Sequence, residues 1–208
     1  MSSSAMDIFT EAVGDDDTLS RLGPLRAMAG TWEGTGVDVH PVAGGSEEEP
    51  YLERYELQPI DRQTNGPQLL YGLRYHTHIV KPGEVETFHD QVGYWLWEPA
   101  TGTVTHTVAI PRAQVAMATG HATADASQFE VMAHRGSETA GILSNPFLVE
   151  AFLTTSFQIT VTIDSDGTWS YVQDTVLQLP DRVGAFHHID RNTLQRVAPP
   201  APNPLAAR

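Results

Sequence analysis

The chain has 208 residues, with 26 acidic and 12 basic side chains, a formal net charge of −14 and no cysteine. This length is sufficient for one domain with a sizeable core. The negative charge repels phosphate backbones and anionic lipid surfaces, so we expect neither nucleic acid nor a membrane as a partner. The lack of cysteine excludes disulfides, thiolate metal sites and cysteine nucleophiles.

The N-terminal part of the chain is predicted to be a tail followed by a small plug. Residues 1–20 include the run Asp15-Asp16-Asp17 and few apolar residues, which predicts a flexible acidic tail. No secretory signal or membrane-spanning apolar run is visible, and we therefore expect a cytoplasmic protein. Leu22, Leu25 and Met28 follow at three-residue spacing. This spacing predicts a short helix or turn that closes one end of the fold, although surface packing explains it nearly as well.

From Thr31 onward the sequence has the composition of β-strands. The clearest period-two alternation lies in residues 152–163, and Asp164-Ser165-Asp166-Gly167 after it is a hairpin signal. The whole pattern predicts about ten antiparallel strands in an all-β, up-and-down barrel wide enough to hold a ligand, with a two-sheet sandwich as the alternative. Residues 199–208 are rich in proline and are predicted to be a C-terminal tail.

The motif Gly30-Thr31-Trp32-Glu33-Gly34-Thr35-Gly36 opens the first strand in the form G-x-W-x-G-x-G. It resembles the signature of the nitrobindin family, heme-binding β-barrels related in shape to fatty-acid-binding proteins and lipocalins. Two later stretches, Tyr51-Leu52-Glu53-Arg54 and residues 88–95, agree in order and texture, as does the closing strand around His188-Ile189. The resemblance therefore predicts a nitrobindin-like barrel over residues 21–198.

The resemblance implies a heme b at one mouth of the barrel. One histidine of the last strand holds the iron in this family, and the other side stays open to small ligands such as nitric oxide. Ferric heme in the family is also associated with the isomerisation of peroxynitrite to nitrate. In such a protein the chemistry belongs to the iron, so no catalytic side chain is expected.

The expected iron ligand is His188, because the family's ligand directly precedes an aliphatic residue, here Ile189. The family pattern places that ligand one residue nearer to the closing pair Arg196-Val197 than His188 stands. A β-bulge in the strand would absorb the extra residue; without it, the pleat points His187 inward instead. Loss of heme ligation is the third option. Asp190 is expected either to orient His188 or to pair with a nearby arginine.

Further cofactor contacts are implied for the first strand, at Gly30, Trp32, Gly34, Gly36 and His40. The glycines either let the backbone pass close to a flat macrocycle or relieve crowding where the barrel closes. The indole of Trp32 belongs to the core or packs on the heme. The imidazole of His40 stands where the family often has a tyrosine-proline-threonine turn, and it either meets a propionate or is a plain loop residue.

Other candidates have less context. His76 and His78 share one face of a strand, but no third metal donor accompanies them, so we place them at the surface. His106, His121 and His134 belong to no motif. The residues expected to face the lumen include Leu69, Tyr71, Tyr94 and Phe157.

Two functions remain open on the sequence. The first is a heme protein that reacts with nitric oxide or peroxynitrite; the second is a non-enzymatic carrier of a fatty acid or other small apolar ligand, with Arg54 or Arg74 as its carboxylate partner. A filled lumen would instead leave a structural or interaction protein. No hydrolase or phosphate-binding motif is present. The sequence does not give the oligomeric state; a homodimer is one option.

Overall fold

The computed structural model describes residues 7–203 and consists of twelve strands and three short helices. The helices are α1 (Thr18–Arg21), a 3₁₀ helix (Gly23–Met28) and α2 (Pro146–Ala151). The strands are β1 (Gly30–Val42), β2 (Gly45–Pro59), β3 (Gln63–Asn65), β4 (Gln68–Val80), β5 (Thr87–Glu98), β6 (Thr103–Ile110), β7 (Gln114–His121), β8 (Gln128–Arg135), β9 (Gly141–Ser144), β10 (Leu153–Ile163), β11 (Trp169–Gln178) and β12 (Phe186–Ala198). No helix within residues 7–203 is long and apolar enough to cross a membrane.

Eleven of the strands form a closed barrel. Their order around it is β2-β1-β12-β11-β10-β8-β9-β7-β6-β5-β4, and pairing of β2 with β4 closes the ring. The first and last barrel strands, β1 and β12, are neighbours, so the two ends of the sequence meet in one wall. The prediction of an all-β barrel is confirmed.

The predicted strand count and the purely antiparallel arrangement need correction. Strand β3 pairs only with β4 and lies outside the barrel. Strand β9 is parallel to β8 and antiparallel to β7. The chain does not reverse its direction between β8 and β9, so β9 lies beside β8 with the same orientation. These strands have three and four residues, too few for a period to reveal them in the sequence.

The segments predicted as tails lie partly outside the described residues, namely residues 1–6 and 204–208. Of the remainder, residues 7–17 lie beside the turn that connects β3 to β4. The backbone N–H of Ala12 donates to the carbonyl of Gly66 at 2.8 Å, and the N–H of Asp15 donates to the Tyr71 hydroxyl at 2.9 Å.

One end of the barrel is filled. Leu22, Leu25 and Met28 are fully buried there, and the predicted plug is confirmed as the 3₁₀ helix together with Leu22, the residue before it. The indole N–H of Trp32 donates to the Met28 carbonyl at 2.7 Å, which ties this helix to β1. Burial of each such large side chain contributes roughly 2 kcal/mol. This closed end therefore supplies much of the core.

Three side chains that were expected to face the lumen lie outside the barrel, namely those of Tyr94, Arg54 and Arg74. Phe157 is buried inside the barrel as expected, but Tyr94 faces outward, because its neighbour Trp95 takes the inward position on β5. Arg54 also lies outside, where its guanidinium pairs with acidic side chains of β1 and β2, and Arg74 is exposed. Neither arginine reaches the lumen.

Candidate functional site

The other end of the barrel is hollow and encloses a cavity of about 460 Å³. This volume lies in the range of roughly 300–1,000 Å³ that is common for ligand and cofactor pockets. Its walls are mainly apolar, and Phe147 and Phe152, at the two ends of α2, flank the opening. The residues that form the apolar walls include Ile79, Val108, Ile110, Phe157, Ile159 and Leu177.

A β-bulge in β12 decides which histidine faces this cavity. Thr31 lies opposite Ala198, but Trp32 lies opposite Arg196, so Val197 is an extra residue in the strand. If β12 paired regularly from Ala198, Val197 would lie opposite Trp32 and the odd-numbered residues of β12 would face inward. Because the bulge places Arg196 there instead, the even-numbered residues face the lumen. His188 lines the cavity, whereas His187 lies outside with its Nδ1 2.7 Å from Asp174 Oδ2.

Asp38, His40, His188 and Asp190 form what we call the mouth cluster, at the open end of β1 and β12. The Nε2 of His188 lies 2.7 Å from Oδ1 of Asp38, whose side chain is only 5% exposed. The other carboxylate oxygen of Asp38 contacts Nδ1 of His40 at 3.1 Å. Asp190 reaches within 3.9 Å of His188 Nε2. Asp38, His188 and Asp190 each offer a ligand atom within 4.8 Å of the others, close enough to share one cation.

The mouth cluster favours a protonated His188. Burial opposes the charge on its imidazole, but the hydrogen bond with Asp38 and the negative charge of Asp190 outweigh burial and raise the pKa of His188. Burial also raises the pKa of Asp190 to about 6, although the charge of His188 and a hydrogen bond from Gln173 act in the opposite direction.

A third carboxyl group, that of Glu53, also lines the cavity. Glu53 is 3% exposed, and one of its oxygens, Oε2, accepts hydrogen bonds from the Tyr171 hydroxyl at 2.8 Å and the Asn192 amide at 2.7 Å. The hydroxyl groups of Tyr171 and Tyr51 lie 2.9 Å apart. Burial raises the pKa of Glu53 to about 7, so this acid changes its charge near neutral pH.

His106 faces the cavity from β6, about half-way round the barrel from β12. Its ring stacks on Trp95 with the centroids 3.9 Å apart and an angle of 6° between the planes. The side chain is 1% exposed, and neither ring nitrogen has a hydrogen-bond partner within residues 7–203. Burial lowers the pKa of His106 to about 3, so the ring is neutral at physiological pH.

Of the five residues of the first strand that were predicted to contact the cofactor, one lines the cavity and four do not. His40 lines the cavity from within β1, rather than from a loop. The other four do not line it: Gly30, Trp32, Gly34 and Gly36. A Cβ at Gly34 would lie 2.6 Å from Asn192 Oδ1, and one at Gly36 would overlap the Tyr51 ring. The space in front of these two glycines is therefore filled by protein.

The remaining histidine pair lies on the outer surface. His76 Nε2 is 2.9 Å from Asp90 and His78 Nε2 is 3.0 Å from Thr87. The residues that the sequence did not single out are Asp38, Glu53 and His106. Counting alternate positions from Trp32 along β1 would have placed Asp38 inside, but its pairing with His188 arises only when β1 and β12 come together.

Comparison with known proteins agrees with this architecture. A family model described as the THAP4-like, heme-binding beta-barrel domain matches residues 21–196. The chain is similar in fold to the crystal structure of Rv2717c from M. tuberculosis, with 19% identity and a TM-score of 0.61, over 86% of this chain and 97% of that one. A search of curated proteins found no match.

Proposed function

The chain belongs to the THAP4-like, heme-binding β-barrel domain family, and on this premise we propose that its cavity binds heme b and reacts with nitric oxide or peroxynitrite. The nitrobindin resemblance of the first strand is confirmed by the family match. The observation that carries the proposal is the inward orientation of His188 beside a cavity of about 460 Å³.

The residues around the cavity fit a heme. A neutral imidazole is the usual ligand of an open five-coordinate heme, and His188 would supply it. Apolar walls suit a porphyrin, and Lys81 and Arg112 lie at the rim, where cations would meet the propionates. Two things have to change, because His188 must lose the proton that the mouth cluster favours and, if Nε2 is to bind a metal, its contact with Asp38. Breaking this contact requires free energy, so Asp38 is expected to weaken heme binding.

Each group of the cavity has a separate task in this proposal. His188 would hold the iron, and Asp190, on the same face of β12 with an oxygen 3.9 Å from Nε2 of His188, would supply negative charge beside that atom. The aromatic and aliphatic walls would keep water away from the bound ligand. When bound, ferric heme supplies an iron with one open position, at which nitric oxide binds or peroxynitrite rearranges to nitrate.

Reconstitution with hemin tests the assignment of His188. We expect the wild-type protein to give the Soret band of a histidine-ligated heme and His188→Ala to lose it. His187→Ala is the matched control, because its imidazole lies outside the barrel, and it should keep the wild-type spectrum. An unchanged Soret band in His188→Ala would contradict the assignment. Stopped-flow decay of peroxynitrite, with and without hemin, then tests the reaction.

A fatty-acid carrier is less well supported. The two arginines expected to bind a carboxylate, Arg54 and Arg74, lie outside the lumen. The cavity wall instead carries the acidic residues Asp38, Glu53 and Asp190, which repel a carboxylate. The same acidic residues would repel heme propionates, so the family match, and not the charge of the cavity, favours heme over a free fatty acid.

A further inference from the structure

His106 is a polar group that the heme function does not use. Its two ring nitrogens are buried in the cavity wall and have no hydrogen-bond partner within residues 7–203. Buried polar groups in folded proteins are nearly always hydrogen-bonded, so a group of this kind beside a cavity is matched by something that enters the cavity. The stacking on Trp95, 3.9 Å between centroids, fixes the plane of the ring in advance.

The surroundings of His106 define the chemistry of its partner. A neutral imidazole has one N–H donor and one acceptor nitrogen. Tyr75 and Phe157 lie with their ring centroids 5.2 and 6.0 Å from that of His106, so the floor around it is aromatic. Burial keeps the imidazole uncharged, and an anion here would lose its hydration without gaining a counter-charge. A matching ligand is therefore uncharged, with an apolar ring or chain and one hydrogen-bonding group.

We propose that the inner end of the cavity is a binding site for a small uncharged molecule with a hydroxyl or similar polar group, and that His106 anchors this group. His106 and the expected iron ligand His188 line the same cavity from nearly opposite strands, β6 and β12, so the site uses a different part of the cavity from the mouth cluster. The polar group hydrogen-bonds to His106, and the apolar part of the molecule packs against the surrounding aromatic rings.

A matched set of probes tests this site in the full chain without added hemin. Phenol and toluene have nearly the same shape, but only phenol carries a hydroxyl, and benzoate adds a charge. We expect phenol to shift the ring ¹⁵N resonances of His106 in NMR spectra and to bind about tenfold more tightly than toluene. Benzoate should leave these resonances unchanged. Equal binding of phenol and toluene, or preferred binding of benzoate, would overturn the proposal.

Three variants locate the effect. His106→Phe keeps an aromatic ring on Trp95 but removes both nitrogens, so it should bind phenol no better than toluene. His106→Gln keeps a donor and an acceptor and should recover part of the preference for phenol. His121→Phe changes an exposed histidine on β7 and should behave as the wild type. If His106→Phe retains the full preference, the proposal is wrong. Should that variant fail to fold, unchanged His106 resonances in the phenol-treated wild type would overturn it equally.

Discussion

The two ends of the barrel are built from the same strands but have opposite properties. At the closed end the inward positions carry Trp32 on β1 and Leu194 on β12, both fully buried. Toward the open end the inward positions of the same two strands carry Asp38 and His188. Each strand thus changes from apolar to polar along one face. Stability and ligand binding are therefore separated along the barrel axis rather than between different elements.

Removing a ring from the closed end should have the largest effect on stability. Trp32 is fully buried and hydrogen-bonded to Met28, so Trp32→Ala leaves a cavity and should lower the free energy of unfolding by about 3–5 kcal/mol. Phe147→Ala at the open end changes a side chain that is 62% exposed and should cost less than about 0.5 kcal/mol. Urea unfolding measures both. Similar losses would mean that the two ends contribute equally to stability.

Glu53 should make the open end sensitive to pH. Its pKa rises from an ordinary 4.5 to about 7, so the folded protein binds its proton more tightly than the unfolded chain does. Stability therefore falls as pH rises through this window, by on the order of 3 kcal/mol in total, and is level above it. Glu53→Gln should remove this part of the slope between pH 5 and pH 7.5.

The control for this comparison is Glu138→Gln, which changes an exposed acid in the turn before β9. It should keep the wild-type slope. Because the depressed pKa of His106 adds an opposite slope below pH 6.5, the difference between wild type and Glu53→Gln is the quantity to measure. An equal slope in those two proteins would show that Glu53 is already ionised in the folded state.

Adding a methyl group at Gly36, which lies on β1 between the closed and open ends, should destabilise the protein. A Cβ at Gly36 would overlap the Tyr51 ring, so Gly36→Ala should lower the free energy of unfolding by about 1–3 kcal/mol. The control Gly45→Ala, with no atom within 4 Å of the added Cβ, should change stability far less. Thermal unfolding of both variants gives the comparison. An undisturbed Gly36→Ala would mean that the Tyr51 ring moves without cost.

The smallest expected effect concerns hemin affinity. Asp38→Asn removes the charge that holds Nε2 of His188, so hemin should bind about tenfold more tightly to the variant. Asp174→Asn is the matched control, since Asp174 makes an equally short 2.7 Å contact with His187 outside the barrel. Weaker hemin binding in Asp38→Asn would show that the carboxylate supports iron ligation instead of competing with it.

The sequence predicted the barrel better than the chemistry of its open end. The glycine-tryptophan motif and the alternation around Phe157 are local patterns, and they indicated the family and the strands. The contact between Asp38 and His188 joins residues 150 positions apart, and no local pattern reports it. Glu53 was equally hidden, because a charged residue on a strand that mixes polar and apolar positions is ordinarily expected outside. Burial, aided by the nearby charge of Asp190, raises the pKa of Glu53.

His187 and His188 are identical in chemistry, yet one is solvent-facing and the other is enclosed. What separates them is the β-bulge near the end of the strand, where Val197 has no partner in β1 and Arg196 lies opposite Trp32. If Val197 were paired with Trp32 in a regular ladder, the odd positions would replace the even ones inside the barrel. The identity of the interior group is thus set nine residues away from it, by the pairing at the bulge.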